Sequence, residues 1–190
     1  MQPPVALLAA VLYNHPEKTE TEEVDTLIRL EKIDARNIWD FVDLEVAKGQ
    51  ESFVAPNDIS IAQAYTAVGT ECRAFPFGIR NDDEPVGFLM IGFNEAALYD
   101  AEEEAPPEAL KSNYSLWRLM IDEKQQKKGY GREAVRLALD FVRSLPCGPA
   151  EYCEVSYEPE NEVAKKLYRS FGFEENGEMD GDEIVAVLKL

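Results

Sequence analysis

The sequence predicts one α/β domain, because strand-like and helix-like stretches alternate along most of its 190 residues. Residues 114–121 are aromatic and apolar enough for a buried strand. Gly129 and Gly131 follow in a short loop, and apolar residues then recur at helical spacing over residues 133–143. A predicted hairpin before this unit, and strand and helix patterns after it, complete the assignment.

The first 25 residues are predicted to form an extension outside the domain. Residues 5–13 are apolar, but nine residues are fewer than the ~20 that span a bilayer. No Lys or Arg precedes them, in contrast to a secretory signal. The charged residues 15–23 then predict a linker. We expect a short helix or extended arm, packed on the domain or on the second subunit of a homodimer.

The domain is predicted to cover residues 26–190, beginning with a strand at 26–33. Asp34 or Asn37 can cap the helix that follows, and a second helix is predicted from residue 59 to about 68. The apolar positions of the first helix are Ile38, Phe41, Val42 and Val46.

Residues 74–80 and 85–93 are predicted to form a β-hairpin across the turn at 81–84. The Asn-Asp-Asp-Glu sequence of that turn tolerates positive φ and makes side-chain turns. Gly87 and Gly92 within the second strand indicate a bulge or a close neighbour.

The second half of the chain begins with a polar acidic loop at residues 94–111. The acidic run at 102–104 is typical of a solvated surface, and it can also collect cations near an active-site entrance. A strand at 150–156, a helix at 161–171 that ends at Gly172, and a last strand at 184–190 follow the central unit.

The composition is strongly acidic, with 37 acidic and 19 basic residues and a formal net charge of −18. Nucleic acid is not expected as a partner, because its phosphates bind Lys and Arg. The charge favours a cationic small molecule or a basic peptide, or else serves solubility alone. Three Cys and one His provide no zinc site and no paired disulfide framework, so we expect no metal and a reduced, cytoplasmic protein that does not bind membranes.

The loop after residue 121 has the pattern Gln126-x-x-Gly129-x-Gly131. The first N–H groups of a helix have no internal partner and lie at the positive end of its dipole. Glycine lets the backbone approach a phosphate closely, so a strand, a glycine loop and a helix predict an anion site. The P-loop pattern and the third glycine of a dinucleotide fold are both absent.

Together with Asn161, Tyr168 and Gly172-Phe173, this loop resembles the Gcn5-related N-acetyltransferase (GNAT) family. The resemblance covers residues 26–190 and is strongest over residues 117–173. It implies a mixed, mostly antiparallel sheet of six to seven strands with about four helices. In that fold two central strands splay apart to admit acetyl-CoA as co-substrate.

The resemblance also implies a site. The residues that it places against acetyl-CoA are Leu119, Met120, Ile121, Gln126, Lys127, Lys128, Gly129, Tyr130, Gly131, Arg132 and Asn161. Tyr168 stands where the family places the general acid that protonates the leaving thiolate, or else is an aromatic residue of the core. Family loops often have Gly at the position of Lys127. A positive φ at that position would be strained in this chain, because lysine has a Cβ.

The acceptor implied by the resemblance is a primary amine. Residues 51–64 resemble those of polyamine acetyltransferases, which act on spermidine or spermine, although they also fit an ordinary helix connection. The alternatives are a peptide or protein amine, an aminoglycoside-like compound, or a non-catalytic CoA-binding module. Some relatives have a glutamate general base where Trp117 stands, so the base here would be Glu154, Glu51 or a water relay. Glu51 and Glu154 are also the residues expected to contact the acceptor.

Overall fold

The computed structural model describes residues 28–100, 102 and 105–190. The predicted extension at 1–25 and residues 103–104 of the acidic run lie outside the described residues. The strands are β1 (Ile28–Lys32), β2 (Arg73–Asn81), β3 (Glu84–Phe93), β4 (Tyr114–Ile121), β5 (Tyr152–Tyr157), β6 (Glu174–Asp180) and β7 (Glu183–Lys189). The α-helices are α1 (Trp39–Val42), α2 (Asn57–Thr66), α3 (Tyr130–Arg143) and α4 (Glu162–Arg169).

The strands of the described residues form one sheet in the order β1-β2-β3-β4-β5-β7-β6. Neighbours are antiparallel except for β4 and β5, which run parallel. β4 and β5 pair only at Tyr114 with Cys153 and at Ser115 with Glu154. Beyond these pairs the two strands separate, so the predicted mixed sheet with two splayed central strands is confirmed.

Helices cover both faces of the sheet, and β3 contributes to the core on each side. Leu89 and Ile91 pack in the core beneath α3, whereas Phe88 and Met90 pack with Phe41 of α1. Successive residues of a strand point to opposite faces. A strand that is buried on both faces therefore has the continuous apolar sequence seen here.

The first predicted helix is much shorter than expected, and neither Asp34 nor Asn37 caps it. Asn37 Oδ1 accepts from Asp34 N at 2.8 Å and its Nδ2 donates to Lys32 O at 3.0 Å, which closes a turn instead. After α1, Glu123 N donates to Glu45 O at 2.8 Å. This bond holds the chain against the loop after β4, so tertiary hydrogen bonding prevails over helical spacing.

The two glycines of β3 have the close neighbours that the sequence indicates. A Cβ added at Gly87 would overlap the Met120 carbonyl oxygen of β4, and one added at Gly92 would overlap the Glu95 side chain. The pairing of β3 with β4 is irregular between Met90 and Gly92. Because these two glycines have no Cβ, β4 can lie close to β3 at Gly87, and the Glu95 side chain, from the segment after β3, can lie close to it at Gly92.

β6 has no counterpart in the sequence pattern, because its residues Glu-Glu-Asn-Gly-Glu-Met-Asp include four acids and no apolar alternation. It is mostly exposed and pairs irregularly with β7 between Glu175 and Met179. Backbone pairing with β7 therefore defines this strand. No helix in the described part of the chain has the length and apolar character needed to cross a membrane.

Candidate active site

The loop between β4 and α3 passes twice through left-handed backbone. Lys127 has a φ of 65° and Gly129 a φ of 85°, and α3 begins directly afterwards at Tyr130. The unpaired N–H groups of the first helical turn, at the positive end of the dipole, therefore face the same region as the loop backbone. This is the geometry of the phosphate site that Gln126-x-x-Gly129-x-Gly131 predicts.

Lys127 has the positive φ at which the sequence predicts strain. Left-handed backbone costs a residue with a Cβ roughly 1–2 kcal/mol. Neighbouring hydrogen bonds hold the loop in place: Gln126 Nε2 donates to Gln50 Oε1 at 2.7 Å and to Ile121 O at 3.1 Å. The loop is thus tied both to β4 and to the segment before α2.

A cavity of about 400 Å³, named here the loop cavity, extends from this loop along β4 and α4. Ten of the residues predicted to contact acetyl-CoA line it: Leu119, Met120, Ile121, Gln126, Lys127, Gly129, Tyr130, Gly131, Arg132 and Asn161. Lys128 does not line it, and its Nζ donates to Gln125 Oε1 at 2.6 Å. Lys127 and Arg132 bring positive charge to the cavity of a strongly acidic chain.

Four apolar residues that line the loop cavity were not predicted from the sequence. Phe53 and Val54 come from the segment before α2, and Val163 and Leu167 come from α4. The α4 residues are four apart and share one helix face, a spacing that could have identified them. Phe53 and Val54 carry no periodic signal. A glycine loop at a helix N-terminus, joined to an apolar slot between separated strands, fits acetyl-CoA, whose phosphates and pantetheine arm require those two environments.

α4 is capped at both ends, which fixes the position of Tyr168. At its start Asn161 Oδ1 accepts from Ala164 N at 3.1 Å. At its end Phe173 N donates to Tyr168 O at 3.2 Å, with Gly172 at a φ of 93°. Such a left-handed glycine closes a helix at little steric cost. The regular helix ends at Arg169, before the predicted end, and Gly172 closes the turn that follows it.

Tyr168 is buried and lines two cavities at once. Its ring stacks on Tyr157 at a centroid distance of 6.1 Å and meets Phe173 edge-on at 5.7 Å. Burial raises the pKa of the Tyr168 phenol, and the neighbouring Glu154 raises it further. The phenol therefore stays protonated at neutral pH.

The second cavity, named here the reaction cavity, has a volume of about 140 Å³. It lies between the segment before α2, β4, β5 and Tyr168. Trp117, at the position where some relatives have a glutamate, lines it, as do Ser156 of β5 and Glu183 of β7. The carboxyl group that lines this cavity is therefore that of Glu183 on β7, and β4 contributes none.

A third cavity, named here the acidic cavity, adjoins the reaction cavity and has a volume of about 700 Å³. The two share Leu116, Trp117, Arg118, Ser156 and Glu183. The acidic cavity is lined by four carboxyl side chains, which are Glu95, Glu154, Asp180 and Glu183. Only Glu154 was predicted from the sequence.

Three of these carboxyl groups have raised pKa values. Burial raises the pKa of Glu95 to about 8. The nearby charge of Arg118 lowers this pKa, and that of Asp180 raises it. The pKa of Glu154 lies well above its ordinary value, because of burial first and Glu95 second. Glu154 Oε1 is buried, and no group among the described residues is its hydrogen-bond partner. Burial also raises the pKa of Glu183.

Glu51, the other predicted acceptor residue, lies apart from these carboxyl groups. It is exposed, its Oε2 accepts from Gly49 N at 2.6 Å, and it lines a separate groove with Asp43, Glu45 and Asp58. The structure therefore does not bring Glu51 and Glu154 together.

Residues 38–173 match the model of the acetyltransferase (GNAT) family, and the chain belongs to that family. It is 30% identical over 155 residues to a spermine/spermidine N(1)-acetyltransferase of Bacillus subtilis, an alignment that covers 78% of this chain and 90% of that protein. Solved structures with similar folds include the aminoglycoside acetyltransferase AAC(6')-Ib in complex with coenzyme A. For that structure the TM-score is 0.62 and the identity 19%, covering 85% of this chain and 94% of that one.

A second similar fold is the PaiA N-acetyltransferase from Thermoplasma acidophilum in complex with coenzyme A. The TM-score is 0.57 and the identity 13%, covering 86% of this chain and 99% of that chain.

The protein is an acetyl-CoA-dependent N-acetyltransferase, as the sequence predicts, and acetyl-CoA is its co-substrate. The alternative of a non-catalytic CoA-binding module is therefore set aside. Across residues 28–100, 102 and 105–190 there is no group of three or more His, Cys, Asp or Glu side chains arranged to hold a metal ion.

Proposed function

We propose that this enzyme acetylates a primary amine of a polyamine such as spermidine or spermine. The observation that carries the proposal is the acidic cavity, whose four carboxyl groups adjoin the reaction cavity beside Tyr168. A polyamine has several ammonium groups along an apolar chain. One can lie among the carboxylates while another reaches the reaction cavity.

The unpaired carboxyl in the acidic cavity supports a cationic ligand. A buried polar atom without a partner is costly, and Glu154 Oε1 has no partner within the part of the chain that the structure describes. An ammonium donates up to three hydrogen bonds and supplies the opposite charge. Its arrival would lower the pKa of Glu154 and of Glu95, so spermidine binding near neutral pH releases protons.

In this proposal the chain's residues divide the work of acetyl transfer. The loop backbone at Gly129 and Gly131 binds the phosphates of acetyl-CoA, and the acetyl thioester lies near the C-terminal end of β4. Backbone N–H groups around Met120 and Ile121 stabilise the oxyanion. Tyr168, whose phenol is protonated at neutral pH, donates a proton to the departing thiolate.

The polyamine assignment also agrees with the similarity to a spermine/spermidine N(1)-acetyltransferase over most of the chain. The test is a thiol-release assay with spermidine, propylamine, an aminoglycoside and a lysine-containing peptide. We expect spermidine to give the highest kcat/KM. Its apparent affinity should fall as salt rises, since exposed charge attraction is screened over ~8 Å at physiological ionic strength.

Two isosteric variants locate the cation site. Asp180→Asn removes a charge from the acidic cavity, and Glu51→Gln removes one from the separate groove. We expect Asp180→Asn to raise the KM for spermidine by about tenfold, which is 1.4 kcal/mol, and to leave that for propylamine unchanged. Equal kcat/KM for spermidine and propylamine in the wild type at low salt would refute the polyamine assignment. An effect of Glu51→Gln alone would move the acceptor to the groove.

A further inference from the structure

One carboxyl group lies at the junction of the two acceptor-side cavities. Glu183, the first residue of β7, lines both the reaction cavity and the acidic cavity. Glu95, Glu154 and Asp180 line the acidic cavity and not the reaction cavity. An amine that extends from the carboxyl cluster towards Tyr168 therefore meets Glu183 at its reacting end.

The reaction needs a proton acceptor at that position. An alkylammonium has a pKa of ~10, as for lysine, and has no lone pair until it loses a proton. Trp117 provides no basic group on β4, and Tyr168 is itself protonated. Glu183 is the carboxyl group that lines the same cavity as both of them.

The surroundings of Glu183 orient it and tune its basicity. Ser156 Oγ on β5 donates a hydrogen bond to Glu183 Oε2. Burial raises the pKa of Glu183, the Ser156 bond and Arg118 oppose that rise, and Asp180 and Glu158 add to it. A carboxylate with a raised pKa is a stronger base near neutrality.

We propose that Glu183 is the general base that accepts the proton of the reacting ammonium. This inference rests on the proposed amine acetylation. The amine nitrogen loses one proton to Glu183 Oε, and its lone pair then forms the N–C bond to the thioester carbon. The C–S bond breaks as Tyr168 protonates the sulfur, and the second nitrogen proton returns to the tyrosinate through solvent. The net products are the amide, CoA thiol and one proton, which leaves from Glu183.

Glu183→Gln tests this role, because it keeps the shape and the Ser156 contact but cannot take up the proton. The assay compares spermidine with its aminooxy analogue, whose reacting nitrogen is uncharged at neutral pH and needs no base. We expect the variant to lose about 100-fold in kcat with spermidine and less than about fivefold with the analogue, since a general base typically contributes 10²-fold or more. The remaining rate with spermidine should rise with pH as the free amine accumulates.

The matched control is Glu174→Gln, which removes one exposed carboxylate from the adjacent β6 and lines none of the three cavities. We expect wild-type kinetics from it. Equal losses with both acceptors would make Glu183 a positioning residue and overturn the proposal, as would a wild-type pH profile in Glu183→Gln. If the wild type prefers another amine, that amine and its aminooxy analogue replace the polyamine pair, so the two proposals fail independently.

Discussion

Replacing Glu95 by Gln should stabilise the protein in a way that depends on pH. Glu95 is 7% exposed, and its carboxyl accepts a hydrogen bond from Ser115 Oγ. Its pKa is raised from 4.5 to about 8 by burial, with Arg118 acting in the opposite direction. Gln has nearly the same shape and can accept the same hydrogen bond, but it carries no charge at any pH.

The sign and size of the change in the free energy of unfolding follow from proton linkage. Between pH 4.5 and 8 the folded protein keeps a proton on Glu95 that the unfolded chain has released. The free energy of unfolding therefore falls as pH rises, by about 1.36 kcal/mol per pH unit. The stability that the Glu95 proton contributes is fully present below pH 4.5 and is lost as the pH rises through 8. Glu95→Gln should thus exceed the wild type by less than about 1 kcal/mol near pH 5 and by about 3 kcal/mol at pH 7, with an upper limit of about 5 kcal/mol above pH 8.

Urea unfolding at pH 5, 7 and 8.5, without polyamine, measures this difference. Because Glu95 also raises the pKa of Glu154, part of the gain comes through that neighbour. Glu71→Gln, which removes an exposed carboxylate, is the control and should show no such trend. A gap between Glu95→Gln and the wild type that stays constant from pH 5 to 8.5 would refute the assignment of a proton to Glu95.

Three further predictions concern the loop, the tyrosine and the sheet. Gly129→Val puts a β-branched residue at a φ of 85°, so calorimetry should show CoA binding at least about tenfold weaker; Gly177→Val, at a φ of 87° and remote from the cavities, should bind CoA normally. Tyr168→Phe should lower kcat about 100-fold with an unchanged KM for acetyl-CoA, and a near wild-type rate would assign the ring to packing alone. Gly87→Ala should lose about 1–3 kcal/mol of stability through overlap with the Met120 carbonyl, and an unshifted urea midpoint would contradict this.

The central strand, loop and helix were predictable because each has a local signal. The strand over 114–121 needs only an apolar run, and the loop needs its two glycines. The helix predicted from residue 133 begins at Tyr130, one turn earlier, because its first turn belongs to the glycine loop. Residue spacing does not indicate where such a loop becomes helical.

The acidic cavity was not predictable from local patterns. Glu95 and Glu154 are far apart along the chain from each other and from the neighbouring pair Asp180 and Glu183, and the strand order brings them together. In a chain with 37 acidic residues no single carboxylate stands out. Burial distinguishes these residues, and burial depends on the whole sheet. The short α1 has the same explanation, since its length is decided by the loop after β4.

The two paired positions between β4 and β5 act as a seam that joins two halves of the sheet. Side chains and turns fasten this seam: Asn113 Oδ1 accepts from Glu151 N and Tyr152 N, each at 3.0 Å, and Tyr114 Oη accepts from Cys147 N at 2.8 Å. None of these groups lines the loop or reaction cavity.

The seam lies about four residues, or roughly 13 Å, from Leu119. A change of about 5° in the angle between the two strands there would shift Leu119 by about 1 Å relative to β5, a misplacement that can cost 10²-fold in rate. Catalytic alignment in this enzyme is therefore sensitive to substitutions such as Asn113→Ala that contact neither substrate. Selection for activity will act on the seam as well as on the cavities.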